Sequence, residues 1–390
     1  MRILQLHNRY QIVGGEEGVV QSEQALLRQY GHSVELLEVS NDDLRNSWSK
    51  VLAAPQAIYS WTAKRLLCDR LAQFQPDIVH VHNFFPLLSP SIYDACHDRG
   101  IPVIQTLHNY RLICPKAMLF RENEICEACV GRSFAAPGVQ YGCYRDSKAQ
   151  TAIVAAMLSW HQWRNTWHDR VNGYIALTQF QRQKLIQGGL PGDRIHVKPN
   201  FVFVPPSLPV DRQSYALFVG RLSEEKGVAL LLEAYQRYGL DLPLKIVGDG
   251  PLRDHLQSQI QQDRLDDRIQ LLGRRDKDTV LKLMRQAQVL VFPSIWYEGF
   301  PLTISEAFAC GLPVIVPSFG SMAEIVRDSE TGLHFIPRDV ESLAQKLQWA
   351  NSHAKELQVL GTHAQQQYKA LYTPEANYEQ LMTIYRQAQR

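Results

Sequence analysis

The sequence has 390 residues, 45% of them hydrophobic and 21% charged, which excludes the collagenous, disordered and disulfide-dense small-protein classes. At about 150 residues per domain this length predicts two or three domains. Lys plus Arg number 41 against 39 Asp plus Glu, so no overall field favours nucleic acid as a partner, and any anion site must be local.

Residues 2–7 alternate apolar and polar and predict a first strand, which runs into Val-Gly-Gly-Glu-Glu-Gly at 13–18. This start has no long apolar core and no small-residue cleavage site, so no secretory signal is expected. Val19, Glu23, Leu26, Leu27 and Tyr30 then recur at helical spacing, with Gly31 at the C-terminal position. The pattern repeats with a strand over 33–39, a helix carrying Leu66, Leu67, Leu71 and Phe74, a strand over 77–82, a helix near 90–97 and a strand over 102–107. Short strands alternating with helices predict a parallel sheet.

The rhythm stops at residues 110–147, an insertion punctuated by Gly and Pro that contains four cysteines. It resumes with a long helix carrying Trp160, Trp163 and Trp167, a strand over 173–177, a helix over 179–187 and a strand over 194–198. Prolines 199, 205 and 206 mark an interdomain linker. A second α/β half follows, with strands over 215–219, 243–247, 268–272, 289–293, 313–316 and 333–336. The reading gives domains over 1–203 and 204–372, with a last helix over 373–390 packing back toward the first domain. No stretch reaches the about 20 apolar residues of a membrane span.

The densest chemical signal is residues 296–306, where Glu298 and Glu306 stand eight apart across a strand-to-helix junction. Pro301 suits a first helical position, so the amides of Leu302, Thr303 and Ile304 would point at an anion such as phosphate. Near that helix start Glu306 is expected ionised and able to accept two ribose hydroxyls, and Glu298 could face a sugar. The plainer alternative makes them a solvated loop acid and a helix-start acid. Upstream, residues 220–227 place Arg221 and Lys226 at the carboxyl edge of the same sheet, where a guanidinium and an ammonium could stabilise a departing diphosphate in place of a metal. Gly248-Asp249-Gly250-Pro251 supplies a tight turn at that edge.

In order, Gly-Arg-Leu-x-x-Glu-Lys-Gly at 220–227, Val-Gly-Asp-Gly-Pro at 247–251, Leu-Leu-Gly at 271–273 and Glu-x7-Glu at 298–306 resemble the retaining glycosyltransferases of family 4. A Gly-Gly loop after the first strand, Thr-x-His at 106–108 and Lys-Pro-Asn at 198–200 extend the resemblance across nearly the whole chain outside the insertion. It implies a GT-B fold, two Rossmann-like doubly wound parallel-sheet domains facing across a cleft, with a nucleotide sugar held mainly by the second. By the same resemblance Arg221 and Lys226 bind the diphosphate, Glu306 the ribose and Glu298 the donor sugar. Gly248, Gly299, Phe300, Pro301, Leu302 and Thr303 cradle sugar and phosphate. Gly14 and Gly15 allow close backbone approach, and His108 bonds the transferred sugar. No catalytic cofactor and no covalent nucleophile is implied. The chain departs from the family at Asn109, where Asp is common, and at Phe201 and Phe203 of the linker.

The expected activity is transfer of one sugar to a glycan or lipid-linked acceptor in envelope polysaccharide or glycoconjugate assembly, in the cytoplasm or at the inner membrane face. The alternatives are a sugar-nucleotide epimerase or a non-catalytic sugar-nucleotide-binding protein on the same fold. Seven cysteines without a signal suggest reduced thiols. Cys114, Cys126, Cys129 and Cys143 form C-x11-C-x2-C-x13-C, for which structural zinc leads over an iron–sulfur centre, disulfides or four separate thiols. Cys68, Cys96 and Cys310 are assigned to helix cores. Asp276-Lys277-Asp278 is read as a helix cap, His80 and His82 as packing or cleft lining without metal, and the tryptophan series as core, with an interfacial membrane face as its alternative.

Overall fold

The computed structural model describes residues 1–9, 15–40, 55–205 and 211–389, so Gly14 lies outside the described residues. Two compact units emerge: one of residues 1–121, 126–200 and 374–390, the other of residues 122–125 and 201–373.

The first unit is built on β1 (Arg2–Arg9), β2 (Ser33–Ser40), β3 (Ile78–Asn83), β4 (Val103–Thr106), β5 (Gly173–Ala176) and β6 (Ile195–Val197). They form one parallel sheet in the order β2-β1-β3-β4-β5-β6. Each strand lies within two residues of its sequence-based bounds, because parallel strands covered on both faces read as apolar runs. Helices α1 (Gly15–Gln29), α2 (Trp61–Phe74), α3 (Ser91–His97), α4 (Lys148–Trp163) and α5 (Gln179–Gln187) alternate with them. Ser60, Ser147 and Thr178 cap α2, α4 and α5 by accepting a backbone amide of the first turn. The tryptophan expectation is corrected in part. Trp167 is buried, whereas Trp160 and Trp163 are 46% and 75% exposed on α4, their rings 5.2 Å apart. The helix Pro374–Ala388 completes this unit: Asn377 donates to the Pro199 carbonyl and Tyr385 bonds His80.

The second unit carries β7 (Ala216–Val219), β8 (Leu244–Val247), β9 (Ile269–Gly273), β10 (Val289–Val291), β11 (Val314–Pro317) and β12 (Gly332–Phe335), parallel in the order β9-β8-β7-β10-β11-β12. The chain fills one side of the sheet and then crosses to the other, so the order reverses between β7 and β10. The carboxyl ends of strands at such a reversal are where open parallel sheets carry their ligand crevice. Helices α6 (Val228–Tyr238), α7 (Arg253–Gln262), α8 (Lys277–Gln286) and α9 (Leu302–Ala309) pack on this sheet. Asp276 caps α8 by accepting from the Thr279 amide at 2.9 Å, which accounts for the Asp-Lys-Asp segment.

Backbone packs on backbone at this edge. Gly227 sits at φ +67°, where an added Cβ would stand 1.9 Å from the Pro293 carbonyl oxygen. Gly248, at φ +147°, would bring a Cβ to 1.8 Å from the Gly220 oxygen. The Leu222 amide bonds the Asp249 carbonyl, and the Ile295 amide bonds the Glu225 carbonyl. The three loops are therefore joined backbone to backbone. Gly227→Ala should destabilise the protein by more than about 2 kcal/mol, since the left-handed conformation alone costs a side chain roughly 1–2 kcal/mol. Urea unfolding of both proteins measures the difference, and a loss under about 0.5 kcal/mol, the range of ordinary surface substitutions, would show that the loops are not locked.

Candidate functional site

In the second unit the loop after β7 delivers Lys226 and the loop after β10 delivers Glu298. They meet at the crevice with Nζ 2.7 Å from Oε1. Glu298 is buried, and the same Oε1 also accepts from Ser294 Oγ at 2.7 Å and Trp296 Nε1 at 2.9 Å. Among the described residues Oε2 takes no hydrogen bond. Lys226 lies 5.5 Å from the Trp296 ring centroid and 5.7 Å from that of Phe292, close enough for cation–π attraction. The result is a fixed ammonium beside a carboxylate oxygen that remains available.

Arg221 is exposed at the start of the same loop, and Gly248 begins the adjoining turn. Across the crevice, Gly299 is half-buried and Phe300 packs edge-on against Tyr372 at 5.5 Å. Pro301 differs from its expected place. It is the N-cap of α9 at ψ 101°, one residue before the helix, because its neighbouring backbone turns out of the extended loop there. Its carbonyl takes the Ile304 amide at 3.0 Å, so the helix start offers Leu302 and Thr303, and no side chain caps it. Burial raises the Glu306 carboxyl above its ordinary value, and Lys277, with Nζ 3.3 Å away, opposes that rise. The sequence reading missed Lys277 because its role in the DKD segment was taken to be capping alone.

In the first unit, β3 points His80 and His82 at Glu23 of α1. Glu23 Oε1 lies 2.9 Å from His80 Nδ1 and 3.3 Å from His82 Nε2, and Lys198 Nζ stands 3.7 Å from Oε2. All four residues are buried. Burial alone would raise the Glu23 carboxyl, but the attraction and hydrogen bonds of the two histidines hold it well below the usual range. The ligating atoms of Glu23, His80 and His82 lie within 4.8 Å of one another. Lys198, a cation beside that carboxylate, together with Tyr385 and Thr106 on the His80 ring, occupies the polar capacity of the group. His82 Nδ1 lies 3.1 Å from His108 Nε2. Gln5 Nε2 also lies 3.4 Å from His82 Nε2, so the His82 ring joins Glu23 and Gln5 on one side to His108 on the other, and one proton is shared across the His82–His108 contact. Burial, then His82, lowers His108 well below its ordinary value. Sequence reasoning found His80, His82 and His108, carried Glu23 only as a position on a helix face and Lys198 only within the Lys-Pro-Asn motif, and missed Tyr385, which no local pattern joins to them. Gly15 opens α1 in an exposed position.

The family model described as glycosyltransferase family 4 matches residues 13–204, and the model of glycosyl transferases group 1 matches residues 204–367. The chain belongs to glycosyltransferase family 4. The family's two-sheet GT-B fold recurs in Anabaena Alr3699/HepE, a structure solved with UDP and glucose, at TM-score 0.67 and 18% identity over 98% of both chains. An uncharacterized glycosyltransferase of Methanocaldococcus jannaschii is 35% identical over 136 residues, which are 34% of this chain and 35% of its own. The D-rhamnosyltransferase WbpZ of Pseudomonas aeruginosa is 32% identical over 161 residues, 41% of this chain and 42% of its own. The match therefore spans well under half the length of these curated relatives.

Burial lowers His7 and His82 from 6.5 to about 4, and the repulsion that protonated rings would feel, His7 from His82 and His82 from His80, adds to it. Both stay neutral in the folded unit, so the unfolded chain binds more protons between about 6.5 and 4. Their contribution to stability is complete above 6.5 and is lost as pH falls through 4. The thermal midpoint should drop on acidification across that window, and His7→Asn should flatten the slope; an unchanged slope would contradict burial of a neutral ring at position 7.

Proposed function

We propose that this family 4 member is a retaining, metal-independent glycosyltransferase that takes one sugar from a nucleotide-sugar donor. The single observation supporting this is the Lys226–Glu298 pair at the crevice where strand order reverses in the second unit. In this reading Arg221 and Lys226 neutralise the donor diphosphate, Glu306 accepts the ribose hydroxyls and Glu298 accepts a sugar hydroxyl on Oε2. The backbone of Gly248, Gly299, Phe300, Pro301, Leu302 and Thr303 lines sugar and phosphate. The bond from the anomeric carbon to phosphate oxygen breaks, and the charge left on the diphosphate is met by two cations and the α9 amides. The acceptor hydroxyl bonds to the same face of the anomeric carbon and yields its proton to the departing phosphate oxygen. By the family resemblance, Gly14 and Gly15 are the proposed close backbone approach to phosphate and His108 the proposed contact to the transferred sugar.

Lys226→Ala should lower turnover by about 10²–10³-fold, the loss seen when one group facing developing charge is removed, with little change in thermal midpoint. Activity should survive chelators, and NMR of the product should show the donor's anomeric configuration retained. An active Lys226→Ala enzyme, loss of turnover in chelator with the fold intact, or inversion would each overturn the reading. Free nucleotide should appear only when acceptor is added, whereas an epimerase would convert the nucleotide sugar alone.

The acceptor is proposed as a glycan or lipid-linked sugar of envelope polysaccharide assembly, met at the inner membrane face. Among the described residues no helix is long and apolar enough to cross a membrane. Peripheral contact would rest on exposed Trp160 and Trp163 beside Arg164. Anionic vesicles should sediment the protein, and Trp160→Ala with Trp163→Ala should release it; equal sedimentation would remove this face from the proposal.

A further inference from the structure

We propose that Cys114, Cys126, Cys129 and Cys143 hold one zinc ion as thiolates, a structural site of the first unit independent of the proposed transfer reaction. All four line one cavity of about 20 Å³, close to the space of a single water-sized occupant. None is in a disulfide, and the other three cysteines do not line this cavity. A set of four sulfurs with no oxygen or nitrogen donor selects a soft ion in tetrahedral geometry.

The local backbone is arranged around these thiols. The Cys126 amide bonds the Leu119 carbonyl at 2.8 Å, the Arg132 amide bonds the Cys129 carbonyl at 3.3 Å and the Cys143 amide bonds the Gly138 carbonyl at 3.0 Å. Gly138 donates its amide to Cys129, and a Cβ there would stand 3.1 Å from Pro115 and 3.4 Å from the Cys129 sulfur. Lys116 and Arg121 line the same cavity, and their two positive charges match the net double negative charge of zinc on four thiolates.

Residues 110–120 of the insertion are anchored by buried Tyr110, Leu112, Ile113, Leu119 and Phe120, whereas the stretch after them has only a two-residue strand pair, Phe120–Arg121 with Glu124–Ile125, and surface contacts. None of residues 121–134 is buried, so apolar burial cannot offset the entropy of ordering this stretch, whose fixed turns include Glu122 and Asn123 at positive φ. Lys184 on α5 pairs with Glu127 at 2.8 Å, a contact of the kind that contributes little by itself. A metal crosslink between the C-x2-C turn and the two outer cysteines supplies the missing constraint. No three of the sulfurs meet the 4.8 Å spacing that Glu23, His80 and His82 do. Bonds of about 2.3 Å set tetrahedral sulfurs roughly 3.8 Å apart, so zinc draws this loop tighter.

Elemental analysis of the full-length protein, purified under reductant without added metal, should give about one zinc per chain. Cobalt exchanged into the same protein should show thiolate-to-cobalt charge transfer and tetrahedral visible bands. Cys126→Ser with Cys129→Ser should remove the metal, while Cys68→Ser and His80→Ala should keep it. If the double variant does not fold, alkylation of the native protein decides: the four thiols should be protected until zinc is stripped. A protein that is metal-free and takes up no zinc, iron in zinc's place, two disulfides by mass, or zinc lost on His80→Ala and kept in the cysteine variant would each overturn the assignment.

Discussion

The ion pair between Lys226 and Glu298 depends on topology more than on local sequence. The two residues are 72 positions apart and leave strands that are neighbours because the sheet's winding reverses there. Gly227 and Gly248 let the intervening loops come into backbone contact. The pair is held in advance: Ser294 and Trp296 fix Glu298, and two aromatic faces flank Lys226. A charge so confined loses little freedom when an anion arrives, which is how an ammonium becomes effective toward charge that develops during bond breaking.

The first unit uses a different device. Its sheet buries a carboxylate and a lysine together, and the cost of desolvating Glu23 and Lys198 is offset by His80, His82 and Gln5 hydrogen-bonding to the carboxylate. The consequence is a continuous polar chain: Glu23 reaches His108 through His82, so the surroundings of a strand-end histidine include a buried carboxylate two residues removed from it.

Most of the fold was legible because its grammar is local. Runs such as 289–293 and 313–316 are apolar throughout, and glycines 227 and 248 mark turns that tolerate little else. The site was legible as residue types at fixed offsets, so Lys226, Glu298 and Glu306 could be placed at one sheet edge before any coordinates. Their partners were not. Lys277 reaches Glu306 from another helix, and Tyr385 reaches His80 across 305 positions; no spacing rule spans such distances. Trp160 and Trp163 were misassigned because helical spacing shows which residues share a face and is silent on whether anything covers it. Pro301 was displaced by one position because helix ends depend on caps that short motifs do not encode.

The first unit borrows its last helix from the far end of the chain. Asn377 receives Lys198 at 3.1 Å, and Tyr385 is fully buried against the sheet. On the ribosome, residues 1–200 can form strands and pair them, yet the polar centre around Glu23 remains unclosed until residues 374–388 have emerged. Closure of that centre therefore waits for a segment that follows the whole second unit in the chain, and the second unit, although translated later than residues 1–200, can complete its own core first.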